Sequence, residues 1–510
     1  MKLIIKILAF VFVLVTICSL SSFSQDFPAT YWLEKADSYY KVGSFDIALL
    51  SINKSLEIDP SNIAAWRLKG ESFYALNMYK SSLDCYNKII ELNPTDSKAY
   101  DAKSAALLML GNYKDAGANY NRSIALNPLD AEAWTGQGNV FYKMGAYKLA
   151  LASYNKSLDI DTSFEEAWSA KAKILNQLGE YEDALSASEN TLSLDSNDSE
   201  AWLNKAIALN KIGRYEDALS SSTKSLAINS KDALAWTNKG IALYGLGKNE
   251  DALLSFNEAI KIDASNSEAW AGKGNALVKM GLYEEALASY NSSLELDKTK
   301  AIVWNEKGKA LKELGRYGEA ITASSRATDL DPFNADAWSN KGNAQYQAGK
   351  YAEAIKSFTK TIEINPLDAK VWYSQGLVLT ELGKYKDALD SFDKSTKIDS
   401  KYIASWINMG NVLLKLNRSD DAIASYEKAI DLNPSSSTAW YGKGLALNMT
   451  GKHDDALTSY NKAIELNPSN AAPWYGKGQV LKSLNSTAES EKALSKAEEL
   501  GYNSTKLEPL

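Results

Sequence analysis

The chain has 510 residues, 45% hydrophobic and 23% charged, with a formal net charge of −7. Two cysteines and one histidine exclude a disulfide-stapled fold and any centre built on several histidines. The acidic balance, without a basic cluster, excludes nucleic acid as a partner.

The first stretch is MKLIIKILAFVFVLVTICSLSSFSQ, in which Lys2 and Lys6 precede an apolar run from Ile7 to Leu20 and small residues follow at Ser22 and Ser24. Residues 1–24 read as a secretory signal peptide, or as a signal anchor through residues 7–24 if they are not cleaved. A lipid-attachment site at Cys18 does not fit, because Ile17 stands where such sites want a small side chain. The expectation is an exported, extracytoplasmic protein starting near Gln25 or Asp26, which meets a membrane only through an uncleaved N-terminal segment. Cys85 is then the one cysteine left, so no intrachain disulfide forms.

From residue 29 onward the chain repeats itself. Thirteen tryptophans, from Trp32 and Trp66 to Trp440 and Trp474, lie on one progression of step 34, and Tyr100 fills the missing term. Fourteen units follow without insertion, 29–62, 63–96, 97–130 and so on to 437–470 and 471–504, before a tail at 505–510. A fixed period in this range is the signature of a solenoid. Within a unit, Trp270, Gly274, Leu277 and Met280 share one helical face. Eleven residues after each tryptophan stands Gly, or Asn at 77, 417 and 485, and these residues accept the left-handed backbone that ends a helix. A second helix opens with segments such as Tyr-Glu-Asp-Ala-Leu and ends at Asp or Asn, seven times with Pro next. The residue four after the tryptophan is Gly in ten units, and a helical glycine needs a close neighbour to explain it, a packed helix or an indole ring. The tryptophans are expected to be buried. In the last unit Ser490, Glu491 and Glu498 replace apolar residues, as on the wet face of a capping helix.

Trp, then Gly four residues on, Gly-x-Tyr, Ala, an aromatic and Pro, at a period of 34, resemble the tetratricopeptide repeat family. The resemblance implies an all-α fold, an α-solenoid of about fourteen 34-residue helix–turn–helix repeats wound as a right-handed superhelix. One departure recurs: three residues after the tryptophan, where the family usually has an aliphatic residue, eleven units carry lysine, among them Lys171, Lys205, Lys239, Lys273 and Lys307. These are expected to form a solvated ladder facing the acidic starts of the second helices.

In the family, first helices line the concave face, and the residues one, two, five, eight and nine after the tryptophan point into it. Carried over, these positions hold Asn204, Asn210, Asn238, Asn275, Asn305, Asn340, Asn343, Asn408, Asn411 and Asn448, whose amides match the backbone of an extended peptide. They also hold Tyr40, Tyr74, Tyr142, Tyr244 and Tyr346, and Tyr373, Tyr441 and Tyr475. The family's carboxylate clamp for acidic tails is absent, since no lysine directly follows a tryptophan.

Nothing in the sequence suggests an enzyme: His453 replaces a repeat tyrosine, the glycines are used by packing and turns, and no cofactor or metal is expected. Four of the Asn-x-Ser/Thr sequons, at Asn53, Asn121, Asn155 and Asn291, share one repeat position and follow from the repetition itself. The expected function is a non-catalytic protein–protein interaction scaffold, with proteins or peptides in the groove. The alternatives are a cell-envelope glycan-binding or glycan-assembly factor using the groove Tyr and Asn, and a structural spacer without a ligand.

Overall fold

A computed structural model describes residues 27–502, so residues 1–24, expected from the sequence to be a signal peptide or anchor, and the tail at 505–510 lie outside the described residues. The described residues form 28 α-helices, two per repeat, from Ala29–Lys41 and Phe45–Ile58 to Ala471–Ser483 and Thr487–Glu499. They fall into two units, one up to Leu246 and one from Gly247. Among the described residues no helix is long and apolar enough to cross a membrane.

The punctuation of each repeat follows its sequence. All fourteen positions eleven after the tryptophan have φ between 57° and 88°, including Asn77, Asn417 and Asn485. Second helices end at Asp or Asn, and that side chain then receives the backbone N–H two residues on, as Asp59 does from Ser61 at 3.0 Å and Asp297 from Thr299 at 2.9 Å. The next first helix is often capped by its own Asx residue, as Asn62 Oδ1 receives the Ala65 N–H at 3.0 Å.

The tryptophans depart from expectation: every one is half-buried rather than core. Twelve of them donate Nε1–H to the carbonyl six residues earlier, at 2.8–3.2 Å, for example Trp66 to Pro60 and Trp270 to Ala264. The indole therefore ties its helix to the turn that joins it to the repeat before. The lysine ladder also differs from the expected arrangement. Ten of these ammoniums sit 4.8–5.7 Å from the ring centre of their own tryptophan, because the i, i+3 spacing places the side chain over the indole face. Burial lowers the pKa of Lys171 and Lys307, and the nearby acids Asp183 and Glu319 oppose that shift.

What fills the core is the aromatic residue of the second helix. Tyr86, Tyr120, Tyr154, Phe256, Tyr290, Phe358, Phe392, Tyr426 and Tyr460 are at most 5% exposed. Gly70, Gly138, Gly274, Gly342, Gly376, Gly410 and Gly444 face these rings, not an indole, whereas Gly308 faces Ser324 and Gly478 faces Leu494. A methyl group added to Gly410 would stand 2.7 Å from the Tyr426 ring, and one on Gly442, in the next repeat, would overlap the same ring. Tyr426 is thus held by glycines of two successive first helices, as is Tyr460 by Gly444 and Gly476. Small residues do the same work deeper in the interface: Ser55, Ser157, Ser225, Ser293 and Ser395 each donate to the first carbonyl of their repeat at 2.8 Å.

In the last repeat Glu491 and Glu498 are exposed as expected, but Ser490 is buried and donates to Gly478 O at 2.9 Å. Cys85 is buried, and burial pushes its thiol pKa up to about 11, which keeps it in the unreactive thiol form.

Candidate functional site: the first-helix face

The asparagines marked out in the sequence fall into two structural groups. Five residues after the tryptophan, Asn139, Asn275 and Asn411 receive the hydroxyl of the buried tyrosine of their own repeat, Tyr154 at 2.7 Å, Tyr290 at 2.8 Å and Tyr426 at 2.7 Å. Their carbonyl oxygens therefore satisfy the core. Asn343 is the exception, because the matching residue is Phe358, which has no hydroxyl to offer.

The second group lies between neighbouring first helices. Asn204, Asn238 and Asn305 are 4%, 7% and 3% exposed, so they do not point away from the packed faces. Asn340 and Asn408 are half-buried. Asn340 donates to Asn305 Oδ1 at 2.8 Å, and Asn408 to Ala404 O at 2.9 Å and more weakly to the Tyr373 hydroxyl at 3.4 Å. Asn176 and Asn210, eight after their tryptophans, donate at 2.9 Å to the backbone carbonyls of Asn204 and Asn238 in the following repeat. The ladder stitches repeat to repeat.

That stitching leaves atoms over. Asn176 Oδ1, Asn204 Nδ2 and Asn210 Oδ1 are buried without a hydrogen-bond partner. Asn176 and Asn204 line a cleft of about 490 Å³ with Lys173, Gln177, Glu200, Leu203, Ile207 and Leu234. A neighbouring cleft of about 280 Å³ is lined by Leu108, Asn139, Tyr142, Tyr154, Glu166, Lys173 and Glu200. Nearly all these positions are the ones the repeat family directs into its groove, or lie two before the tryptophan on the same face. Lys173 binds Glu200 at 2.7 Å where the two clefts meet. Asn204 and Asn210 were visible in the sequence, whereas Glu166, Lys173, Asn176 and Gln177 became apparent only through the clefts.

The tyrosines are all half-buried on first helices, Tyr244 included. Tyr142 and Tyr346 each pack at 5.8 Å against the tyrosine that opens their second helix, Tyr147 and Tyr351, and the Tyr142 hydroxyl also accepts from Gln177 at 3.0 Å. Tyr373 contacts Tyr402 at 5.1 Å, and Tyr441 lies 6.1 Å from Tyr460. Burial raises the pKa of Tyr346 and Tyr373, helped at Tyr346 by the charge of Glu381 and opposed at Tyr373 by Asn408. These rings offer flat surfaces with a polar tip.

His453 opens its second helix in the place of the usual tyrosine, half-buried, with Nδ1 unpartnered. Among the described residues no group of three or more His, Cys, Asp or Glu could hold a metal ion.

Comparison with known proteins bears on this repeat pattern. The tetratricopeptide repeat model matches residues 33–97, 103–163, 169–233, 305–369, 342–403, 407–471 and 450–503. Related models of the same repeat match 242–281, 274–315 and 85–118. No curated protein matches significantly. Among solved structures the chain is similar to the APC/C hetero-tetramer Cut9–Hcn1, at 16% identity over 91% of this chain and 98% of that chain, with a TM-score of 0.46. It is also similar to YrrB, described as a TPR protein with an unusual peptide-binding site, at 24% identity over 37% and 96% of the two chains and a TM-score of 0.34. MamA matches at 24% identity over 31% and 93%, with a TM-score of 0.30. The extent of the family match places this chain in the tetratricopeptide repeat family.

Proposed function

We propose that the protein is a non-catalytic interaction scaffold, exported from the cytoplasm, that holds extended polypeptide against the faces lined by its first helices. The observation that carries this reading is the pair of leftover amide atoms on two residues that line the larger cleft. Asn204 Nδ2 is a donor and Asn176 Oδ1 an acceptor, and both lack partners. An unmatched buried polar atom costs about 1–3 kcal/mol, and the terminal torsion of asparagine is soft enough to turn it toward a ligand. A peptide group supplies the missing carbonyl and N–H together. Half-buried tyrosines on first helices of each unit, Tyr142 and Tyr244 in the first and Tyr346 in the second, add area at low entropic cost.

In-cell crosslinking with mass spectrometry tests the reading. Links to partner chains should start from first-helix lysines such as Lys143, Lys173, Lys279 and Lys415. Links only from second-helix lysines such as Lys156 and Lys360, or a glycan retained in place of any protein, would overturn it. The export part rests on residues 1–24 alone. Mature protein starting near Gln25 outside the cytoplasm supports it, and recovery of the chain from cytosol refutes it.

A further inference from the structure

The two clefts of repeats 3 to 7 differ in chemistry, and the difference bears on which polypeptide they take. In the larger cleft, Leu203 forms a floor at 7% exposure, Ile207 is half-buried beside it, and Leu234 stands 51% exposed. Leu234 lies two residues before Trp236. The same position in the four preceding repeats holds Lys98, Glu132, Glu166 and Glu200. A half-exposed leucine replaces a charge there, on the wall of a cleft with an apolar floor.

The smaller cleft is organised around a carboxylate. The Tyr154 hydroxyl donates to Asn139 Oδ1 at 2.7 Å, and Asn139 Nδ2 donates to Glu166 Oε1 at 3.3 Å, so a buried ring orients an exposed acid. Of the two lysines lining this cleft, Lys173 is bound to Glu200 at 2.7 Å and Lys143 is exposed at the end of its helix. Glu166 forms no ion pair among the described residues, and its charge is felt by Tyr74, Tyr120 and Tyr154, which come from three different repeats. Tyr142 offers a ring on the same wall, a surface suited to a cation beside a carboxylate.

We propose that this face reads side chains as well as backbone: an apolar side chain of the bound polypeptide seats on Leu203, Ile207 and Leu234, and a neighbouring lysine or arginine is paired by Glu166. The inference rests on the scaffold reading given above. Glu166 lies one first helix away from Leu203 and Ile207 and two away from Leu234. Adjacent first helices pack about 8–10 Å apart and extended chain advances about 3.3 Å per residue, so the two side chains should stand roughly three to six residues apart.

Fluorescence anisotropy with the full chain tests this. The probes are labelled, unstructured Ser/Thr/Ala peptides carrying one Leu and one Lys at spacings from roughly three to six residues, in both orders. Changing the Leu to Ser should weaken binding about tenfold. Changing the Lys to Glu should weaken it severalfold, by an amount that shrinks with added salt. Glu166→Lys should reverse the second preference, and Leu234→Ser should abolish the first. Both positions are exposed, and circular dichroism checks that each variant is folded. Peptides that bind with equal affinity whatever their Leu and Lys would overturn this inference and leave the scaffold reading standing. A chain that binds none of them, and no partner segment recovered by crosslinking, would overturn both.

Discussion

The hydroxyl of Tyr426 donates to Asn411 Oδ1 at 2.7 Å, while the hydroxyl of Tyr460, one repeat later, is buried with no partner. The cause is a single exchange, because Leu445 stands where Asn411 stood. Tyr426→Phe should therefore destabilise by about 1 kcal/mol, with the Asn411 amide left to find another partner. Tyr460→Phe should be neutral or stabilising, since it removes a buried unmatched hydroxyl. Urea melts of the two variants check this, and equal losses would show that Asn411 contributes nothing.

Glycine at position 410 serves packing, not flexibility. In an exposed helix Gly→Ala stabilises by about 0.5–1 kcal/mol. Here the added methyl would stand 2.7 Å from the Tyr426 ring, so Gly410→Ala should destabilise by about 1–3 kcal/mol. Tyr426→Ala in the same chain should offset part of that difference, and the double-mutant cycle measures the coupling.

Trp270 ties its helix to the preceding turn through Ala264 O at 3.1 Å and carries Lys273 over its ring at 5.3 Å. Trp270→Phe keeps a ring and loses the tether, for a loss of about 0.5–1.5 kcal/mol. Trp270→Ala should also broaden the urea transition, because stability in a repeat array is a sum over neighbours. An unchanged profile for both would show that the indole does not couple repeats.

Asp101 gives unit one a pH dependence. It is 6% exposed, with Lys98 4.0 Å away, and its pKa is raised to about 6. Burial is the main cause; Asp130 and Glu132 add to it, while Ser123 and Lys98 oppose it. A folded-state pKa above the unfolded value means that this group's contribution is full below about pH 4. It is lost as pH rises through about 6. Asp101→Asn should thus raise stability at pH 7–8 by up to about 2–3 kcal/mol and flatten the slope between pH 4 and 6. A variant less stable than the parent at pH 8 would contradict this.

The repeat boundaries, the left-handed turns at Gly and Asn, and the Asx ends of the second helices were legible in the sequence because each depends on local backbone chemistry. Where the side chains go was less legible. Tryptophan is the most regular residue in the chain, yet its period reports a tether to a turn, and the core belongs to less regular rings such as Phe358 and Tyr460. Asn275 and Asn411 look like a surface ladder until the tyrosine fifteen residues later is placed beside them. Position within a repeat fixes which face a residue is on. It does not reveal which partner from the next helix reaches it, and so Asn204 reads as exposed although it is buried.

Hydrogen–deuterium exchange on the full chain, with and without the partner segment recovered by crosslinking, tests the central claim most directly. Protection should increase in the first helices Glu165–Leu178, Ser199–Ile212 and Ala233–Gly245. The second helices Tyr147–Ile160 and Tyr181–Leu194 should change little. Protection confined to those second helices, or to the inter-repeat turns, would contradict binding on the first-helix face.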